Sequence, residues 1–158
     1  MGLLHVVCAI VALIVGAVIF LSPKGTSSHI RVGWIYVASM FALNASALSI
    51  YRLTGSWNVF HVIAVASLAM VAGGILQARY RAARPNWLWR HYHYMAWSYV
   101  GLLAATSNEA FVRIPALKQL TSATAGFLPV VASALIVGAC GVVIFAKQNQ
   151  VLGRFRQP

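Results

Sequence analysis

Acidic residues are almost missing: Glu109 is the only one in 158 residues, set against 12 lysines and arginines, for a formal net charge of +11. Charged residues of both signs make up only 8% of the chain, too few to cover the surface of a soluble domain of this length. With a single carboxylate, no nucleophile–base–carboxylate constellation is visible, which argues against a hydrolase. Cysteine is scarce too. Cys8 and Cys140 lie inside apolar runs, and neither belongs to a C-x-x-C or C-x-x-C-H pattern. The chain therefore shows no sign of a zinc knuckle or of covalently attached c-type haem, and both residues read as free buried thiols. Low-complexity segments are absent, as is any 20–50-residue repeat of the solenoid kind.

What is present is hydrophobicity: 61% of residues are hydrophobic and the mean hydropathy is +0.80. A helix needs about 20 apolar residues to cross the hydrocarbon core. Five runs of that kind are read at about 2–21, 30–51, 57–78, 87–110 and 126–146. The expected fold is all-α: an integral membrane bundle of five transmembrane helices, a four-helix cofactor-binding core plus one peripheral helix. Residues 1–158 form a single transmembrane domain in this reading. The first run lacks a basic start and is followed by Ser22-Pro23-Lys24 rather than a cleavage site, so it reads as a retained helix. Pro23 and Gly25 end it, and Ser27 and Ser28 are N-cap candidates for the second. The fourth run opens on Trp87, Trp89, Tyr92 and Tyr94, an interfacial aromatic belt. The mixed stretch from Phe111 to Ala125 reads as an exposed loop or an interfacial helix.

The basic residues sort by side. Lys24, Arg31, Arg79, Arg81, Arg84, Arg90, Lys147, Arg154 and Arg156 fall on one side, and Arg52, Arg113 and Lys118 on the other. The positive-inside rule then puts the N-terminus outside and the C-terminus in the cytoplasm. Because these residues sit in short loops, they point to topology and lipid headgroups and not to nucleic acid. Gly73-Gly74 and Pro129 are the only obvious interruptions inside a run, which disfavours a transporter with broken helices. Gly126, Gly138 and Gly141 suggest a packing face for a homodimer.

The histidines carry the functional signal, because ionisable residues in a span are costly and usually face the bundle interior. All five lie near the N-terminal end of a run: His5, His29, His61, and the His91/His93 pair. With alternating helix directions, His5 and His61 share the outer level, and His29 and His91 the inner one. In an up-down bundle, helices one and three are diagonal, as are two and four. Two imidazoles facing each other across a bundle centre suit bis-histidine haem. His5 shares its face with Ala9, Ala12 and Gly16, and His29 with Gly33, Tyr36, Met40 and Ala47; small residues there leave room for a flat cofactor, and are equally ordinary packing faces. Gly33 and Arg31 beside His29 complete the cofactor-contact candidates. His91 and His93 point about 200° apart, so only one faces inward. His91 shares its face with Met95, Ser98, Leu102, Ala105 and Glu109, which leaves His93 interfacial.

Glu109 then has three readings: a proton relay at a quinone or oxidant site, a metal ligand with His5 and His61 in a two-His-one-carboxylate set, or an ion pair with Arg113. The expected cofactors are two non-covalent b haems, with quinone as a further small partner. The alternatives are a divalent metal such as zinc or copper, and an accessory or assembly subunit of a larger membrane complex without redox function.

Two resemblances add to this. Lys24-Gly25-Thr26 with His29, Gly33-Trp34-Ile35-Tyr36 and Met40, and then the stretch His91-Tyr92-His93-Tyr94-Met95-Ala96-Trp97-Ser98-Tyr99, resemble the DUF2306 family of uncharacterised bacterial membrane proteins. Its pattern in the second stretch looks like His-x-x-Trp-Met-x-Arg-Ser, which makes His91 the matching histidine. Tyr94 stands where the pattern has Trp, and Trp97 where it has Arg. The resemblance implies a bacterial inner membrane location. The histidine layout is also similar to that of cytochrome b561-type proteins, which implies electron transfer from ascorbate, quinol or superoxide to an acceptor.

Overall fold

The computed structural model describes residues 2–49, 55–57, 59–83, 85–124 and 126–153. Tyr51, Arg52, Arg84, Arg154 and Arg156 of the reading above lie outside the described residues. Among those described there are six α-helices and no strand. The helices are α1 (Leu3–Leu21), α2 (Ser27–Leu48), α3 (Val59–Arg79), α4 (Trp87–Arg113), α5 (Pro115–Ala123) and α6 (Phe127–Gly153), with a single 3-10 turn at Arg81–Ala83 between α3 and α4.

The ends of these helices follow from local chemistry. The Lys24 ammonium donates to the carbonyls of Ile19 (2.7 Å), Phe20 (2.9 Å) and Ser22 (2.7 Å), covering acceptors that α1 leaves open at its C-terminus. Gly25 turns the chain with φ 79°, a conformation glycine adopts without cost. The cap of α2 is Thr26 and not Ser27 or Ser28. Its hydroxyl accepts from the His29 amide at 3.1 Å, which draws both serines into the first helical turn. Pro129 is tolerated in α6 because it sits in the first turn. From Phe111 to Ala123 the chain is helical almost throughout: α4 runs on to Arg113, and α5 spans Pro115–Ala123, while Ala125 lies outside the described residues. Fusing its last turns to a polar tail, α6 continues past Lys147 to Gly153.

Among the described residues, three helices are long and apolar enough to cross a bilayer: Leu3–Leu21, Phe60–Arg79 and Phe127–Gly153. Their outer faces stay apolar, with Ile10 and Ile14 on α1 and Val62 and Ile63 on α3 exposed, as contact with lipid requires. These are three of the five expected spans. Helices α2 and α4, with 22 and 27 residues, reach as far as a bilayer core of about 30 Å at about 1.5 Å per residue. They are more polar, carrying Arg31 and Asn44, and Arg90, His91, His93, Asn108, Glu109 and Arg113 respectively.

The chain divides into two compact units, Met1–Met95 and Ala96–Pro158, with the border inside α4. In the first unit α2 lies along both α1 and α3. Ala12 and Gly16 of α1 are buried, as are Tyr36, Val37, Met40 and Leu43 of α2 and Ala64 and Val71 of α3. Where α3 meets the start of α4, two glycines permit close approach. A Cβ at Gly73 would stand 3.0 Å from the Tyr94 ring, and one at Gly74 would run into the Met95 side chain. In the second unit Trp97 packs against α6, 3.2 Å from where a Cβ on Gly141 would stand and 6.4 Å between ring centroids from Phe145.

Each unit holds one interhelical asparagine clamp of the same design. Asn44 donates to its own Met40 carbonyl (2.7 Å) and to the Ser67 hydroxyl on α3 (3.1 Å). Asn108 donates to its own Ala104 carbonyl (3.2 Å) and to the Ser133 hydroxyl on α6 (2.9 Å). An amide NH2 has two donors, and both are used. Replacing Asn44 or Asn108 by Ala should cost about 1 kcal/mol each, the scale of a side-chain hydrogen bond between membrane helices. Reversible unfolding in bicelles measures this. For the first clamp, Asn44→Ala with Ser67→Ala should cost less than the sum of the two single changes, as coupled partners do; strict additivity would show that the pair does not interact.

Candidate functional site

All five histidines belong to the first unit. His5 is half-buried on α1, its Nδ1 2.8 Å from the Ser46 hydroxyl near the end of α2. The Ser46 hydroxyl lies 2.7 Å from the Leu43 carbonyl oxygen, which can only accept. Ser46 therefore gives its one proton to Leu43 and accepts from His5 Nδ1–H. The lone pair of His5 is thereby placed on Nε2. His91 reaches the same state by a shorter route. Its Nδ1 lies 2.8 Å from the Gly74 carbonyl oxygen, so Nδ1 carries the proton and Nε2 the lone pair.

These bonds also set depth. The His5–Ser46 bond joins the start of α1 to the end of α2, and the Asn44–Ser67 bond fixes α2 against α3 in antiparallel register. Carried along the helices, that register brings His61 to within about one turn of the level of His5. His61 is 1% exposed, with its ring 5.3 Å from that of Trp57. At the opposite end, His29 opens α2, and His91 contacts α3 at Gly74. His29 stands nearer the end of the unit than His91 by about two turns on the same reckoning.

His93 is buried, at 9% exposure, with its ring 4.3 Å from Trp89 and 5.2 Å from Tyr92. The small-residue faces divide. On α1, Ala12 and Gly16 are buried and serve packing. On α2, Tyr36 and Met40 are 2% and 1% exposed, so the room on that face is confined to the His29–Gly33 turn. A Cβ at Gly33 would meet nothing within 4 Å. Arg31 is exposed on the turn between them.

Glu109 lies in the second unit and pairs with Arg113 Nε, one turn on, with both side chains partly exposed. Among the described residues, no three of His, Cys, Asp and Glu gather as a metal-ion site. Trp97, in place of the family pattern's arginine, is committed to packing on Gly141 and offers no charge. One site residue was passed over in the sequence. Gln77 on α3 is 5% exposed, a polar side chain inside a 20-residue apolar span, and that placement alone marked it for attention.

The Glu109–Arg113 pair is a partly exposed i,i+4 contact, worth about 0.3–0.5 kcal/mol. Glu109→Gln should therefore change thermal stability hardly at all. A loss well above 1 kcal/mol in a detergent melting series would mean that the carboxylate carries structure beyond this pair.

Residues 2–147 match the family described as predicted membrane protein (DUF2306). No match was found among curated proteins or among solved structures. The matched stretch includes all five histidines, Gln77, Glu109 and both asparagine clamps. With nearly its whole length matched, the chain belongs to the DUF2306 family of predicted membrane proteins.

Proposed function

We propose that this protein is a small transmembrane b-type cytochrome with two non-covalent haems, one held by His5 and His61 and the other by His29 and His91. Helices α1 to α4 form its cofactor core and α6 its periphery, giving five spans when α2 and α4 cross the bilayer with their polar groups turned inward. The observation that carries the reading is the shared state of His5 and His91. Each gives Nδ1–H to a fixed oxygen, and each holds its lone pair on Nε2. Metal-ligating histidines are oriented in this way, the outer bond fixing the ring and raising the basicity of the ligating nitrogen. One such histidine stands toward each end of the unit, with His61 within about one turn of the level of His5 and His29 about two turns from that of His91. The donor chemistry fits haem, which when bound supplies one-electron transfer at a potential set by its surroundings.

The chain's own residues then have distinct tasks. The Ser46 hydroxyl and the Gly74 carbonyl hold the two oriented rings. Gly33 keeps the turn beside His29 open, and Arg31 offers a cation at the basic end. Glu109 holds a proton-accepting carboxylate paired with Arg113. The redox partner is small: a quinol, superoxide or a molecule of similar kind. The protein sits in the bacterial inner membrane, its N-terminus outside and its basic end in the cytoplasm.

The test is an absorption spectrum of purified protein from haem-replete cells, oxidised and dithionite-reduced, with pyridine haemochrome quantification. The expected result is a Soret band that shifts on reduction, sharp α and β bands, and about two haems per chain, the number the paired ligands call for. His5→Ala, His29→Ala, His61→Ala and His91→Ala should each remove about one. Ser46→Ala should keep the haem and shift its potential, because it removes only the outer bond. A colourless preparation sinks the proposal. Orientation is checked separately: cysteines introduced at Gly25 and Gly55 in a chain lacking Cys8 and Cys140 should label from the cytoplasmic and outer sides respectively.

A further inference from the structure

The end of the first unit where His29 and His91 lie contains two buried polar atoms without a hydrogen-bond partner among the described residues: His29 Nδ1 and Gln77 Oε1. Gln77 is one turn beyond Gly74 and on the same stripe of α3 as Gly73 and Gly74, which meet Tyr94, Met95 and His91 of α4. In that antiparallel register Gln77 falls beside His91. Native proteins seldom leave such atoms unsatisfied, because each forfeits its water without recovering a bond.

The surroundings restrict what satisfies them. Lys24, Arg31, Arg79, Arg81 and Arg90 cluster at this end, and the described part of the unit contains no acidic residue. A cationic ligand is repelled there. Gln77 Oε1 can only accept, so a ligand must bring a hydrogen-bond donor. Gln77 lies within the apolar span Phe60–Arg79, which is reached through lipid. At Gly33, on the face of His29, an added Cβ would meet nothing within 4 Å, so no packed side chain closes that turn. A neutral, flat, lipid-soluble molecule with hydroxyl donors meets all four conditions.

We propose that Gln77 and His29 form a binding site for the headgroup of a membrane hydroquinone, one ring hydroxyl donating to Gln77 Oε1 and the oxygen on the opposite edge of the ring meeting His29 Nδ1. His29 Nε2 stays available to a metal in this arrangement, so the site is compatible with haem. Binding itself does not depend on haem; only the identification of the hydroquinone as electron donor rests on the cytochrome reading.

The experiment is calorimetric titration of the full-length protein in nanodiscs, under argon, with a decyl-substituted benzohydroquinone, empty nanodiscs serving as the blank. Saturable binding at one site is expected. The dimethyl ether of the same molecule, which keeps the ring and loses both donors, should bind at least tenfold more weakly. Gln77→Met and His29→Phe should each weaken hydroquinone binding about three- to tenfold, the scale of one neutral hydrogen bond. Ser39→Ala, whose serine bonds only its own helix at Ile35, should leave it unchanged. Uptake equal to that of empty discs, or equal affinity for hydroquinone and ether, overturns the proposal and leaves internal water as the partner of both atoms. The ether comparison uses the unaltered chain, so it decides the matter even if a variant does not fold. Haem content is measured on the same samples. Colourless protein that binds hydroquinone through Gln77 removes the cytochrome and keeps this site, whereas haem-loaded protein indifferent to Gln77 does the reverse.

Discussion

Hydrocarbon offers no hydrogen-bond partner, so every polar group that a helix carries into the bilayer has to find one inside the protein. The arrangement of both units follows from that demand. Asn44 and Asn108 satisfy both amide donors, one on their own helix and one on a neighbour, and in doing so fix which residues of the two helices stand opposite each other. Lys24 folds back over the carbonyls at the end of α1. His5 and His91 hand their Nδ1 protons to oxygens on the next helix. Each bond is modest in energy, yet the alternative of leaving the group unpaired in lipid is worse, and this asymmetry makes the bonds effective in setting register.

The same demand separates the polar side chains that are structurally spent from those that remain to be used. Asn44, Asn108 and Lys24 are spent. His5 and His91 are half spent: one nitrogen is committed, and the commitment decides the chemistry of the other. His29 and Gln77 each keep a buried atom that the described protein does not satisfy. A membrane protein with few charged residues places such atoms sparingly, which marks the residues that carry them for attention. Glu109 stands apart from this group. Its partner Arg113 is one turn away, and both are partly exposed, as an ordinary helix-surface pair would be.

Much of the helical framework was legible in the residues. Runs of about 20 apolar side chains can satisfy their backbones in lipid only as helices, so α1, α3 and α6 were visible as spans before any contact was known. The start of α2 was placed slightly late, because Ser27, Ser28 and Thr26 are all competent caps and only the backbone conformation selects Thr26. The stretch after Phe111 left loop and helix open, and its helical outcome reflects Pro115 restarting a helix as soon as α4 ends. In the site, the polar histidines stood out against an apolar background. Gln77 did so less, since a single amide in a span is common enough to overlook. Which small residues pack and which leave room could not be read from spacing: Ala12, Gly16 and Gly33 follow the same helical periodicity, yet the first two are buried and a Cβ on the third would meet open space.

By itself, the sequence determined that this is a helical membrane protein rich in basic residues, with its histidines near helix starts, because hydropathy and charge act through the bilayer without reference to any particular contact. Only the tertiary structure decided which oxygen faces Nδ1 of His5 and of His91, that His93 is enclosed by aromatic rings, and that Gln77 is buried. Those outcomes depend on which carbonyl, hydroxyl or ring a neighbouring helix presents at a given level. That is set by helix register, and register is fixed by a few interhelical bonds between residues far apart in the chain.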